Sequence, residues 1–442
     1  MKILVSRRLC AVVLSLALCP LSLSLAPQAR AQVVTTPDDP TPVVNQGFDP
    51  IALYLTWHKD PTTTMTGRWQ TLVGAAPATI VTRVEYRKLE RDTWLSHNAV
   101  AIPMPHSNRI THEAELVGLE PGATYQFRFG ARAKVYSFRT MPTQPDRPVR
   151  FATGGDTMHN KMWWLKTNRE VLKHDPDFVL LGGDLCYEDG RAAGVNRVYD
   201  WLDGAKETLI SSDNRVVPIL AALGNHEVDG AYGQPAEHAP FYHHLFPFPG
   251  KQGYNVLDFG NYMSLVLLDS GHTNPVGGAQ AKWLAETLQN RRDVPHVFPI
   301  YHVAAYPSVR SYDEPISQQV RQHWTPLFDS LGVRVVFENH DHAYKRTRPL
   351  FANKLDYTRG VTYIGDGAWG VGTRKVHPES WYLAKATEDR HFILVTLHGR
   401  SQHFEVIDEN GVLIDQFPEA SRIPMVQAPA PAAASPAPLA AK

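Results

Sequence analysis

Cysteine is nearly absent: the chain has three in 442 residues. Cys10 and Cys19 sit in an N-terminal segment that reads as removable, which leaves Cys186 alone. No intramolecular disulfide is then possible, so the fold must rest on its core, with bound metal able to add stability. An excess of either charge is also missing, since Lys+Arg and Asp+Glu both number 44. No whole-chain basic field exists to draw in nucleic acid, and none is expected as a partner. No internal repeat is apparent, and no transmembrane segment is expected in the mature chain. What the chain does have is 43% hydrophobic and 20% charged residues, typical of a soluble globular protein. Its length suggests two or three units. It also carries 20 histidines, a side chain that commonly ligates metals.

The first 31 residues read as a signal peptide. Lys2, Arg7 and Arg8 precede a mostly apolar run, Leu9 to Leu25, and Ala29-Arg30-Ala31 supplies a small-x-small cleavage pattern. Export to a periplasmic or extracellular location follows, with cleavage after Ala31. Residues 32–46 read as a linker. From 47 to 141, short runs rich in β-branched and aromatic residues (Ile51–Trp57, Ile80–Leu89, Ile110–Leu119, Thr124–Gly130, Lys134–Arg139) read as an all-β sandwich. Leu119 to Tyr125 resembles a tyrosine corner, as in fibronectin-III-like sandwiches of about 100 residues. A linker at 142–148 leads into an α/β pattern over 149–418. Its clearest helices are Lys161–His174, Ala279–Arg291 and Ile316–Leu331. The Ala/Pro-rich stretch 419–442 cannot build a core and reads as a disordered tail.

The chemistry lies at strand ends. Val149–Thr153 leads to Asp156, Phe178–Leu181 to Asp184 and Tyr187, and Val217–Leu223 to Asn225-His226-Glu227. Val297–Tyr301 leads to His302, and Val333–Phe337 to His340-Asp341-His342. Sites of α/β sheets form at the carboxyl ends of strands, so these residues share one rim. Carboxylate, amide and imidazole together suit borderline and hard cations such as Fe, Zn and Mn. Two such ions can clamp a phosphoryl displacement and activate water.

The order Asp…Gly-Asp-x-x-Tyr…Gly-Asn-His-Glu…His…His-x-His resembles the calcineurin-like metallophosphoesterases, and Tyr187 narrows it to the purple acid phosphatase branch. The resemblance implies a four-layer αββα sandwich, an α/β (α+β) fold, preceded by a fibronectin-III-like β-sandwich. It implies Asp156, Asp184, Tyr187 and His342 on a first metal, ferric iron. It implies Asp184, Asn225, His302 and His340 on a second, zinc, manganese or ferrous iron, with His226 on the substrate phosphate. The implied activity is hydrolysis of small phosphate monoesters by a metal-activated hydroxide.

Three departures from the family pattern stand out. His159 comes one residue late for the Asp-x-His block of the wider superfamily, and reads either as a site residue or as packing beside it. Ser311 and Tyr312 stand where plant-type enzymes carry a histidine pair, so phosphate contact falls to Asn225, His226, Arg310 or Tyr312. Asn339 replaces the glycine of Gly-His-x-His. The changed substrate side keeps phosphodiester or phospholipid hydrolysis open as an alternative. A non-catalytic surface-binding protein of the same fold is the alternative of another class.

Overall fold

Alternation along the strands decides the layering. The computed structural model describes residues 48–75, 81–248 and 251–418, all in the unit Thr41–Lys442. The expected signal peptide, the 32–46 linker and the 419–442 tail lie outside the described residues. Eight strands come first: β1 (Leu53–Thr56), β2 (Thr64–Leu72), β3 (Arg83–Lys88), β4 (Leu95–Asn98), β5 (Val100–Pro103), β6 (Arg109–Val117), β7 (Thr124–Arg128) and β8 (Val135–Arg139). They form two antiparallel four-stranded sheets, β1-β2-β6-β5 and β4-β3-β7-β8. The Glu120 N–H donates to the Tyr125 hydroxyl at 2.9 Å, closing the corner between β6 and β7.

β2, β4 and β5 are absent from the sequence-based expectation. β2 hides because its second face is polar yet buried: Thr66, Arg68 and Gln70 are all 0% exposed. That face lies against the following domain, where Arg68 Nη2 donates to the His244 carbonyl at 2.6 Å and Tyr54 Oη to Leu245 O at 3.0 Å. Trp57 crosses the same boundary, edge-on to Phe178 and Phe259.

The second part is built from β9 (Val149–Gly154), α1 (Lys161–Leu172), β10 (Phe178–Leu181), α2 (Val195–Thr208), β11 (Ile219–Ala221), α3 (Pro240–Leu245), β12 (Asn255–Phe259), β13 (Met263–Leu267) and α4 (Ala279–Gln289). It continues through β14 (His296–Val303), α5 (Pro315–His323), α6 (Thr325–Ser330), β15 (Val335–Asn339) and β16 (Tyr344–Thr347) to a short hairpin, β17 (Leu350–Phe351) and β18 (Lys354–Leu355). The last strands are β19 (Thr362–Gly365), β20 (Leu383–Thr387), β21 (His391–His398), β22 (Ser401–Asp408) and β23 (Leu413–Phe417). Two mixed sheets result, β11-β10-β9-β21-β22-β23 and β12-β13-β14-β15-β19-β16-β20. Phe151, Phe178, Leu180, Phe298, Ile300, Val335 and Phe337 fill the space between them. Their strand neighbours point the opposite way, as a two-residue period requires. Ala152, Val179 and Leu181 meet α1 and α2, while Val266, Tyr301 and Val336 meet α4, α5 and α6. Both faces of each sheet are therefore covered, and the order is helix, sheet, sheet, helix.

One helix expectation is corrected. The single helix expected over Ile316–Leu331 is two, α5 and α6, because Pro326 has no N–H to continue the first. α2 is not among the clearest helical runs of the sequence. Gly204 lets α2 approach α1, since a Cβ at that position would sit 2.7 Å from the Trp164 ring.

Candidate metal centre

The ligand-bearing strands divide between the two sheets. β9, β10 and β11 bring Asp156, Asp184, Tyr187 and Asn225, while β14 and β15 bring His302, His340 and His342. The side chains gather into two groups at the common end of the sheets. In one, Tyr187 Oη lies 3.0 Å from Asp156 Oδ1 and 3.1 Å from His342 Nε2, and the last two are 3.0 Å apart. In the other, His302 Nε2 lies 3.1 Å from Asn225 Oδ1, 3.0 Å from His340 Nδ1 and 3.2 Å from Asp184 Oδ2. Ligands ~2.1 Å from one ion, at right angles to each other, sit ~3 Å apart, so this spacing matches edges of a coordination shell. Asp184, His302 and His340 form a buried group able to hold an ion.

Hydrogen bonding supports the same reading. His302 Nδ1 pairs with the Gly182 carbonyl at 2.9 Å and therefore carries the ring's proton in the neutral form. Its Nε2 lone pair then faces a carboxylate oxygen, an amide oxygen and another imidazole nitrogen. A cation at that point satisfies all three at once. Without metal, a proton on His302 does so. Burial opposes that charge, but Asp184 and Asp156 outweigh it and push the ring up to about 9. His302 in turn holds Asp184 below the usual carboxylate range against the pull of burial. Burial, then His302, pushes His340 well below its ordinary value. Burial, followed by Asp156 and Asp184, holds the Tyr187 phenol well above its own.

The backbone is bent to deliver these groups. Asp156, Asp184, Tyr187, His340 and His342 all have φ between 52° and 82°, a region non-glycine residues rarely adopt. Such strain costs about 1–3 kcal/mol per residue and gathers at functional sites. The loops are pinned in compensation. Glu227, for which the sequence suggested no role, accepts from the N–H groups of Gly224, Asp184 and Leu185 at 2.6–2.8 Å. Asn339 lies across Gly155 and Gly182, where a Cβ on Gly182 would fall 1.8 Å from its Nδ2, and it donates to the Tyr301 carbonyl. The missing glycine of His-x-His is thus matched by glycines on the facing loops.

Around the rim, His226 is 39% exposed, packs its ring on Tyr187 at 4.5 Å and places Nδ1 2.6 Å from Asp189 Oδ1. Asp189 was not singled out from sequence. Arg310 Nη1 donates to His340 O and Asp341 Oδ1, at 2.9 and 3.0 Å. Its Nη2 has no protein partner among the described residues. His159 is exposed and meets Tyr187 edge-on at 5.3 Å, beside the first group. Tyr312, named as a candidate phosphate contact, is half-buried. Its hydroxyl bonds Asn353, its ring stacks on Tyr382 and Arg321 covers its face, so its interactions lead away from the cage. Cys186 is buried against Glu188 and plays no part in the cage.

Two family profiles match the sequence: the calcineurin-like phosphoesterases over residues 156–344, and the N-terminal domain of purple acid phosphatases over residues 50–140. The chain is a purple acid phosphatase-like member of the calcineurin-like phosphoesterases. It is a phosphoric ester hydrolase, and its family implies a two-metal centre. Purple acid phosphatase 21 of Arabidopsis thaliana is 27% identical over 319 residues, covering 68% of this chain and 69% of the relative. Purple acid phosphatase 22 of the same plant is 26% identical over 323 residues, covering 69% and 71%. The structure of a purple acid phosphatase from yellow lupin seeds superposes with a TM-score of 0.69 at 18% identity, covering 83% of this chain and 73% of that one, and so shares the fold. No helix among the described residues of this phosphoesterase is long and apolar enough to cross a membrane.

Proposed function

We propose that this phosphoesterase is exported and hydrolyses phosphate monoesters at a two-ion centre. One ion is held by Asp156, Asp184, Tyr187 and His342, the other by Asp184, Asn225, His302 and His340. The observation that carries this is the pair of carboxylate, imidazole, amide and phenol clusters with ~3 Å edges, at strand ends forced into left-handed backbone. When bound, the ions supply Lewis acidity, offsetting phosphoryl charge and lowering the pKa of water. Iron(III) suits the first position, because a phenol held up by burial and two carboxylates would lose its proton to solvent only with a strong Lewis acid on its oxygen. Zinc, manganese or iron(II) suits the second. The N-terminal sandwich reads as fibronectin-III-like, supported by the Glu120–Tyr125 corner.

The protein's own groups do the rest. His226 donates its Nδ1–H to Asp189, which fixes the ring, and in the imidazolium form its Nε2–H donates to a phosphoryl or leaving oxygen. Arg310 is anchored by one nitrogen and keeps the other for the phosphate. Metal quantification with a visible spectrum, followed by rates on matched mono- and diester substrates, tests the reading. A metal-free protein that remained fully active would sink it, and a faster diester rate would move it to the alternative substrate class.

A further inference from the structure

His340 binds through one nitrogen, and the other nitrogen sets its tautomer. Nδ1 faces into the cage, 3.0 Å from His302 Nε2. To ligate a cation there, Nδ1 must hold the lone pair and Nε2 the proton, and that proton needs an acceptor. Among the described residues the hydrogen-bond partner of Nε2 is the hydroxyl of Tyr232, at 3.5 Å. The contact is at the long end of the range, as is common before a site is loaded.

Tyr232 is held where it can serve. Its ring lies on His272 at 5.0 Å, tilted by 32°, and His272 packs against His302 at 5.8 Å. The loop is clipped to the strand end after β13 by Gly233 N to Gly271 O and Gln234 N to His272 O, both 2.9 Å, and by His272 Nδ1 to Ala231 O at 3.1 Å. Ala231 adopts φ 63° to permit this. Strain, ring packing and three clips fix one half-buried hydroxyl beside one metal-facing imidazole.

We propose that Tyr232 is the positioning residue for His340: its oxygen takes the Nε2 proton and holds the tautomer that the second ion requires. The inference rests on the two-ion reading of the site. The test is titration of the metal-free protein with Zn²⁺ against a competing chelator, for the parent and for Tyr232→Phe, which keeps the ring on His272 and removes only the oxygen. The expected result is one Zn²⁺ bound ~10- to 100-fold more weakly and the other unchanged. Thermal melts of the two metal-free proteins should coincide. Adding Tyr232→Phe to His340→Ala should produce no further loss, because the hydroxyl acts through that ring. Equal Zn²⁺ affinities in parent and variant, or an undiminished loss on the His340→Ala background, overturn the assignment. A parent that takes up fewer than two ions when offered Fe³⁺ together with Zn²⁺ overturns the two-ion reading itself, and this is visible before any variant is compared.

Discussion

Among the described residues, two of the places where carboxylates meet imidazoles differ in one respect. Under the sandwich, Glu113 and Glu115 meet His58 in the company of Arg68, whose guanidinium is fully buried and bonded to Glu113 and the His244 carbonyl. At the strand ends, Asp156 and Asp184 meet His302, His340 and His342 with no guanidinium or ammonium among them. The nearby Arg310 is turned to His340 O and Asp341 instead. The first cluster carries its own cation and is a joint between domains. The second must import one, and that is what makes it a site. Buried polarity alone does not separate the two, whereas the balance of donors and acceptors does.

Removing a ligand should break the comparison most severely if it is wrong. Asp184→Asn or His302→Ala should lower kcat/KM by ~1000-fold or more, because several kcal/mol of metal-supplied stabilisation goes with the ion. The metal-free variants should melt no lower than the metal-free parent, since the deletion relieves acceptors that face one another. Chelation should destabilise the parent by ~4 kcal/mol when the ion had been ~1000-fold above its Kd, and should leave Asp184→Asn unmoved. Steady-state kinetics, urea unfolding and metal analysis together read these effects. Arg68→Met inverts the pattern. It strands Glu113 and should cost ~3 kcal/mol of stability, while the folded fraction keeps its kcat.

The joint should also fail in acid. Burial, then Arg68 and Lys59, lowers His58 to about 4, and burial with Arg68 lowers His244 to about 3. Both folded values lie below the ordinary histidine value. The stability these neutral rings contribute is therefore present above pH ~6.5 and is lost as pH falls toward the folded values. With ~1.4 kcal/mol per unit, His58 alone accounts for ~3 kcal/mol by pH 4. His58→Gln should flatten the stability–pH curve over that window, and an unchanged curve would show that the joint does not exclude protons.

The same contrast explains what could be read from the sequence. Phe178–Leu181 stands out because a central strand buried on both faces is an unbroken apolar run. β2 does not, because Arg68 and Gln70 look solvent-facing until a second domain covers them. The ligand residues announce themselves by type and by place at strand ends. Asp189, Glu227 and Tyr232 do not, since each matters only through a neighbour 37 to 108 residues away or through loop amides. That the five strands split between two sheets is likewise a matter of pairing, which residue order does not encode.

Asn339 offers the smallest and sharpest test. Its amide occupies the space over Gly155 and Gly182 and holds the Tyr301 carbonyl, so it links the loop after β10 to β14 without touching an ion. If the cage depends on balanced acceptors and the loops only on fit, Asn339→Gly should cost ~1 kcal/mol for the lost hydrogen bond and leave metal content intact. Gly182→Ala should be worse, because the new Cβ meets that amide at 1.8 Å. Joined with Asn339→Gly it should recover most of the loss, since the obstructing atoms are then gone. Thermal melts of the two single variants and the double variant decide it. Additive losses would mean that the glycine serves the loop's own backbone and not the side chain lying across it.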